Sequence, residues 1–91
     1  MARIYEFKFV RNGREIQRVE CDFTEARKVG NEIAEEAGDV RMMVYNDPLR
    51  RWEPMGTYHG DMKVTNTFGD ECVIRPDFSG LDHTDKKGGA S

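Results

Sequence analysis

The sequence predicts an α+β domain: a mainly antiparallel sheet of four to six strands with one helix on one face, in a ββαββ-like order. Three observations lead to this fold class. Residues 4–10 and 15–23 alternate apolar and polar side chains, as strands with one buried face do. Asn12-Gly13 between them is the strongest short signal for a β-hairpin. Residues 24–37 then repeat apolar side chains at helical spacing.

The register of the hairpin depends on its loop. A strict two-residue loop pairs aromatic side chains of the first strand with charged side chains of the second, because a one-residue slip exchanges the faces of a strand. A type I turn at Arg11-Asn12, followed by Gly13 in a left-handed bulge position, adds one residue to the loop. The apolar faces of the two strands then lie on the same side of the hairpin. We therefore predict this bulged turn, with Tyr5 opposite Val19.

The helix has signals at both ends. Asp22 and Glu25 have the spacing of a capping box, although Thr24 could cap the helix instead. Gly38 supplies the C-terminal stop. The apolar stripe is built mostly of small side chains, which lets the helix lie close to the sheet. Its members are Ala26, Val29, Gly30, Ile33 and Ala37.

Further strands are predicted after the helix, bounded by turn residues such as Asn46-Asp47-Pro48. Pro54 predicts either an edge position or a bulge in the fourth strand. From residue 77 onward Gly, Ser, Asp and Lys dominate, so we expect one domain over residues 1–76 and a flexible polar tail over residues 77–91. The predicted later strands are residues 40–45, 52–58, 61–68 and 71–75.

Composition bounds the function. At 91 residues the chain has room for one modest core, and its net charge of −3 differs from the basic balance of proteins that bind a phosphate backbone. No apolar run is long enough to span a bilayer and no signal peptide is evident, so we expect a cytoplasmic protein without a membrane partner. Cys21 and Cys72 fit small thiols in a reducing compartment, and the sequence leaves open whether they pair.

Residues with catalytic or metal-binding chemistry do not form a recognisable set. His59 and Asp61 lie two residues apart, but a metal site needs three or four converging ligands. Cys21 faces the predicted core and both histidines are far from it in sequence, so no nucleophile–base pair is indicated. No phosphate-binding or dinucleotide fingerprint occurs. We therefore predict that the protein is not an enzyme and has no catalytic residues, metal site or cofactor.

Two basic spots give an alternative function, a nucleic-acid-binding accessory protein. Arg11 and Arg14 flank the first turn, and Arg50 and Arg51 precede Trp52. Arginines beside an aromatic ring can hold phosphates and stack a base. The up-and-down course of the chain places the two turns at opposite ends of the sheet, so they do not form one stripe. Nucleic acid is therefore the less favoured partner.

Protein binding is the function that the sequence favours. One helix covers only one face of the predicted sheet, and the other face mixes apolar and charged side chains, as a surface for a partner protein or for a homodimer does. Hot-spot residue types cluster near the fourth strand, although its two aromatic rings could instead complete the core. That group is Arg50, Arg51, Trp52 and Tyr58. An acidic helix face suited to a basic groove is the second predicted group: Glu32, Glu35, Glu36 and Asp39.

The hairpin over Ile4–Phe23 with its Asn12-Gly13 turn, the helix over Thr24–Ala37 and the polar tail resemble a known group of proteins. This group is the small accessory proteins that phages and other mobile elements encode, including anti-CRISPR proteins. The resemblance implies a non-enzymatic inhibitor that docks on a host protein complex, often through an acidic or mixed-charge surface. It carries no binding residue over to this chain.

Overall fold

The computed structural model describes residues 3–83, which form one antiparallel sheet of seven strands and a single helix packed on one face. The predicted α+β class is confirmed, whereas the chain has seven strands in the order ββαβββββ instead of four to six in a ββαββ-like order. The order across the sheet is β2-β1-β3-β4-β5-β6-β7, so the helical connection from β2 to β3 passes over β1. The elements are β1 (Tyr5–Arg11), β2 (Arg14–Cys21), α1 (Phe23–Ala37), β3 (Val40–Asn46), β4 (Arg51–Gly60), β5 (Lys63–Thr65), β6 (Glu71–Ile74) and β7 (Leu81–His83).

The predicted bulged turn between β1 and β2 is wrong. Arg11 pairs with Arg14, and both Asn12 (φ 51°) and Gly13 (φ 77°) adopt the left-handed conformation that a tight type I′ turn needs. The residue that corrects the pairing is Ile16, at a bulge within β2. The buried faces therefore still match, but the register is shifted by two residues. Tyr5 lies opposite Cys21 and Phe7 lies opposite Val19.

The predicted helix signals are confirmed at both ends. Asp22 is the N-cap, and its Oδ1 accepts a hydrogen bond of 2.8 Å from the backbone N–H of Glu25. Gly38 ends the helix at φ 98°, and its N–H donates to the carbonyl of Ala34 at 2.9 Å. The helix buries Ala26, Gly30, Asn31 and Ala34, so its inner face is rotated slightly from the predicted stripe.

The core lies between this helix and the face of the sheet that it covers. Gly30 lets the helix approach closely, because a Cβ atom there would lie 3.1 Å from side-chain carbons of both Phe9 and Tyr58. The three largest fully buried side chains, Phe7, Phe9 and Tyr58, fill the space below. The cluster is completed by Ala26, Ala34, Val40, Met42, Val44, Val64 and Ile74.

Asn31 and Glu35 tie the helix to the β4–β5 turn. Asn31 is buried, and its Oδ1 accepts from the backbone N–H of Met62 at 2.9 Å while its Nδ2 donates to Glu35 at 3.2 Å. The Glu35 carboxylate also accepts from the backbone N–H of Asp61 at 3.2 Å. Asp61 and Met62 both have positive φ, so these bonds hold a tight turn in place.

A bulge in β4 decides which face each of its side chains occupies. Pro54 pairs with Met43 and Gly56 pairs with Met42, so Met55 is the extra residue and the predicted bulge at Pro54 is confirmed. Because one extra residue exchanges the faces, side chains before and after Met55 do not follow one alternation. Tyr58 therefore faces the helix, whereas Trp52 does not.

The C-terminal third differs from the prediction in two places. Only Lys63–Thr65 of the strand predicted over residues 61–68 is a strand, because the Asn66 side chain accepts backbone N–H groups from Phe68 and Asp70 and closes a loop. Residues 77–83, expected in the tail, form a turn and the strand β7, and Arg27 of the helix donates to the Phe78 carbonyl at 2.9 Å. Residues 84–91 of the predicted tail lie outside the described residues.

Candidate protein-interaction surface

The face of the sheet opposite α1 is covered by no second layer within residues 3–83, and we call it the open face. The register gives its composition, because the side chains that alternate with the buried ones point to this side. It carries charged residues of both signs together with aromatic and apolar ones. Its central members are Glu6, Lys8, Arg18, Glu20, Arg41, Met43, Tyr45 and Trp52.

Trp52 is the centre of an ordered cluster on the open face. Its indole ring meets the Tyr45 ring edge-to-face, with centroids 5.2 Å apart. The Lys8 ammonium lies 4.6 Å from the indole centroid, and the Arg18 guanidinium carbon lies 5.0 Å from it. Four strands thus contribute to one cluster, which we call the Trp52 cluster and define as Lys8, Arg18, Tyr45 and Trp52. Trp52 is half-buried by these neighbours.

Arg18 is fixed in the Trp52 cluster by two carboxylates. It donates to Glu15 at 2.6 and 3.1 Å and to Glu6 at 3.0 Å. The hydrogen bonds that Arg18 donates to Glu15 and then to Glu6 raise the pKa of Arg18, and the bond from Arg18 lowers the pKa of Glu15. The guanidinium is therefore held beside the indole ring with its charge locally balanced.

The predicted arginines near β4 occupy two different environments. Arg50 is exposed in the β3–β4 turn at φ 52°, and its N–H donates to the Asp47 carbonyl. Arg51 pairs with Glu53 at 3.2 Å. The pKa of Glu53 is lowered first by a hydrogen bond from Asn46 and then by Arg51. Of this pair, only Arg50 has no ion pair within the described residues.

The other arginine pair lies at the opposite end of the sheet, as expected. Arg11 and Arg14 flank the β1–β2 turn, which adjoins the start of β3, whereas Arg50 and Arg51 follow its end. The Arg11 guanidinium lies beside Gly38, near the helix C-terminus. The two basic spots are therefore separated by the length of β3 and do not form one groove.

The predicted acidic group is gathered at the C-terminal end of α1, and all four residues are exposed. Glu35 is partly used by the bonds to Asn31 and Asp61, and Asp39 contacts His59 Nδ1 at 3.0 Å. The last helical turn contains no basic residue. Acids at this end oppose the helix dipole, which favours cations there. The structure thus confines the free acidic surface to Glu32 and Glu36.

Tyr58 does not belong to a binding surface. Its side chain is 1% exposed and packs under Gly30 in the core. Burial raises its pKa to about 12. The sequence left open whether Trp52 and Tyr58 complete the core or lie on a surface. Tyr58 completes the core, whereas Trp52 lies on the open face.

The structure also brings together three side chains that the sequence did not connect. Asp39 contacts His59, and His59 Nε2 lies 2.7 Å from Thr65 Oγ1. These residues come from the start of β3, a bulge near the end of β4, and β5. Only the β4–β5 turn length could have placed His59 near Thr65, and Asp39 has no local link to either residue.

Other candidate chemistry is limited among the described residues. Both cysteines are free thiols, and burial raises the pKa of Cys21 and of Cys72. No group of three His, Cys, Asp or Glu side chains within residues 3–83 could hold a metal ion. No helix in that range is long and apolar enough to cross a membrane.

Comparison with known proteins gives no relative from which a role could be transferred. No protein-family model, no curated protein and no solved structure matches this chain.

Proposed function

We propose that this chain is a small, non-enzymatic protein-interaction module that binds its partner through the open face, with Trp52 as the central contact. One observation carries the proposal: a large aromatic side chain is held rigidly on the side of the sheet that the single helix leaves uncovered. Trp, Tyr and Arg are the residue types that dominate binding hot spots, and three of the four members of the Trp52 cluster belong to them.

Preorganisation supports this assignment. Binding is weakened when flexible side chains must be ordered, at roughly 0.5–1.5 kcal/mol for each one. In the Trp52 cluster this ordering is already present, because Arg18 is held by Glu6 and Glu15 and the indole ring is held by Tyr45. A partner that covers this cluster would therefore lose little free energy to ordering.

The charges of the open face indicate the chemistry of the partner. Two cations, Lys8 and Arg18, lie near Trp52, and Arg18 has two carboxylates, Glu6 and Glu15, beside it, so this part of the face has no strong field of one sign. A phosphate backbone needs unbalanced positive charge for its affinity. A protein surface of mixed charge with an apolar pocket for the indole ring fits better.

The narrower proposal is that this module is encoded by a phage or mobile element and inhibits a host complex of the CRISPR–Cas type in the cytoplasm. Its support is the resemblance in hairpin and helix described above. The acidic surface of Glu32 and Glu36 offers a second contact for a basic groove in such a complex. Nucleic-acid binding through the arginine pairs is disfavoured, since Arg51 is paired with Glu53 and the two pairs lie at opposite ends of the sheet.

The test is affinity capture from host lysate followed by titration of the purified partner with variants. Trp52→Ala is expected to weaken binding by about 30-fold or more, the effect of losing a hot spot of about 2 kcal/mol. Phe68→Ala is the matched control, because Phe68 is an aromatic residue that is 87% exposed in the β5–β6 loop. Unchanged affinity in Trp52→Ala would contradict the assignment of the open face.

A second arm separates the two surfaces. Reversal of Glu32 and Glu36 to Lys, which leaves the hydrogen bonds of Glu35 to Asn31 and Asp61 intact, is expected to weaken binding only if the acidic helix end also contacts the partner. In cells, expression of the chain should let a plasmid targeted by the CRISPR–Cas system escape interference, and Trp52→Ala should abolish that escape. Full interference despite a stable, expressed chain would contradict the narrower proposal and leave the binding module standing.

A further inference from the structure

Asp39, His59 and Thr65 form a hydrogen-bonded chain on the protein surface. His59 Nδ1 lies 3.0 Å from Asp39 Oδ1, and His59 Nε2 lies 2.7 Å from Thr65 Oγ1. The His59 side chain is 33% exposed and that of Asp39 is 67% exposed, so reagents in solvent can reach these hydrogen-bonded side chains.

The chemistry of the three groups fixes where the protons lie. A carboxylate can only accept a hydrogen bond, so the proton of the neutral imidazole lies on Nδ1 and points at Asp39. The other nitrogen, Nε2, is then an acceptor, and the Thr65 hydroxyl donates to it. A hydroxyl that donates to an imidazole oriented by a carboxylate is the arrangement that activates nucleophilic hydroxyl groups.

The backbone holds the three side chains from separate elements. Asp39 directly follows the glycine that ends the helix, and Thr65 is the last residue of β5. His59 is the extra residue of a bulge, since Tyr58 pairs with Val64 and Gly60 pairs with Lys63. Bulges redirect single side chains, and this one turns His59 toward Thr65.

A cavity of about 270 Å³ adjoins these hydrogen-bonded side chains, and both His59 and Thr65 line it. Lys63 lines it too, and the β5–β6 register places Lys63 on the same side of the sheet as Thr65 and Val73. Glu71, which lies opposite Thr65 in the register, lines the cavity as well, so the charges there are mixed. The cavity therefore offers space for a small acyl group beside the hydroxyl. Cys72 also lines the cavity, but burial raises the pKa of its thiol, so the thiolate form is disfavoured.

We propose that Thr65 is a nucleophilic hydroxyl that accepts an acyl group from an activated ester, with His59 as its general base and Asp39 as a positioning residue. In this step Thr65 Oγ1 forms a bond to the acyl carbon, and its proton passes to His59 Nε2. The bond between the acyl carbon and the leaving oxygen breaks, and the leaving group departs with that electron pair. The proton on His59 then passes to solvent, which restores the base.

The experiment treats the full chain with p-nitrophenyl acetate and follows acetylation of individual residues by mass spectrometry. Thr67 is an internal control, because it is exposed in the loop after β5 and its hydroxyl has no imidazole partner in the described structure. Acetylation is expected at Thr65 and not at Thr67. His59→Gln should slow acetylation of Thr65 by about 100-fold, the lower end of the effect of a general base.

Two further variants keep the result interpretable. His83→Gln removes the other histidine, which lies in β7, and should leave the rate unchanged. Thr65→Val keeps the shape of the side chain and should abolish the release of one equivalent of p-nitrophenolate, with an unchanged circular dichroism spectrum. Equal acetylation of Thr65 and Thr67, or an unchanged rate in His59→Gln, would overturn the proposal. Neither outcome bears on partner binding through Trp52.

Discussion

The two faces of the sheet are held together by different forces. On the covered face, Phe7 and Phe9 are fully buried and Tyr58 is 1% exposed beneath the helix. On the open face, Trp52 is held by ring contacts with Tyr45, Lys8 and Arg18, all near solvent. Burying a large apolar side chain contributes about 1.5–3 kcal/mol, whereas an exposed cation–π contact contributes about 0.5–1 kcal/mol. The covered face thus accounts for most of the stability, whereas the contacts around Trp52 contribute little to it.

The largest expected effect tests this difference with two neighbouring residues of β1 that point to opposite faces. Phe7→Ala should lower the free energy of unfolding by about 3–5 kcal/mol, because it leaves a cavity in the core. Lys8→Ala should lower it by no more than about 1 kcal/mol, because Lys8 contributes one exposed cation–π contact. Urea denaturation followed by fluorescence measures both values. Similar losses in the two variants would show that the open face is also structural.

A smaller effect is expected from Tyr58 at high pH. Its pKa in the folded protein is about 12 against 10.0 for the free group, because burial disfavours the phenolate. The folded pKa is raised, so this stability is fully present below pH 10 and is lost as the pH rises toward 12. The loss should be roughly 2–3 kcal/mol. Denaturation of the wild type and of Tyr58→Phe between pH 9 and 12 tests it, since the variant should lack this part of the decline.

The third effect concerns the junction between the helix and the β4–β5 turn. Asn31→Ala removes the acceptor of the part-buried Met62 N–H, and it should lower the free energy of unfolding by about 1–3 kcal/mol. The exposed neighbour Glu32→Ala should change it by no more than about 0.5 kcal/mol. Thermal unfolding distinguishes them, because each 1 kcal/mol corresponds to about 4–8 °C in a domain of this size. Equal melting temperatures would show that water replaces Asn31.

The fold was predictable where the signal is local. The spacing of Asp22 and Glu25 fixes the start of the helix, and Gly38 fixes its end, because capping depends on groups within one turn. The hairpin was also evident from Asn12-Gly13. The position of its extra residue was not, because Ile16 carries no mark of a bulge and the hydrophobic pattern constrains only the parity of the register.

The candidate site was predictable only in part, and for the same reason. Trp52 and Tyr58 lie six residues apart, so a regular strand would place both on one face; the extra residue Met55 separates them. Hydrogen-bonded side chains that come from three separate elements, such as those of Asp39, His59 and Thr65, have no sequence spacing that marks them. Residue types alone did not show which aromatic ring belongs to the core and which to the surface, because that assignment required the register.

The inserted Met55 divides one strand into two parts with separate roles. Before Met55, the Trp52 side chain lies on the open face; after Met55, the Tyr58 side chain lies in the core. Side chains on the open face and side chains in the core can therefore change separately, although both belong to the same short stretch of chain. A protein of this size has few strands, and the extra residue Met55 lets the two parts of one strand evolve separately.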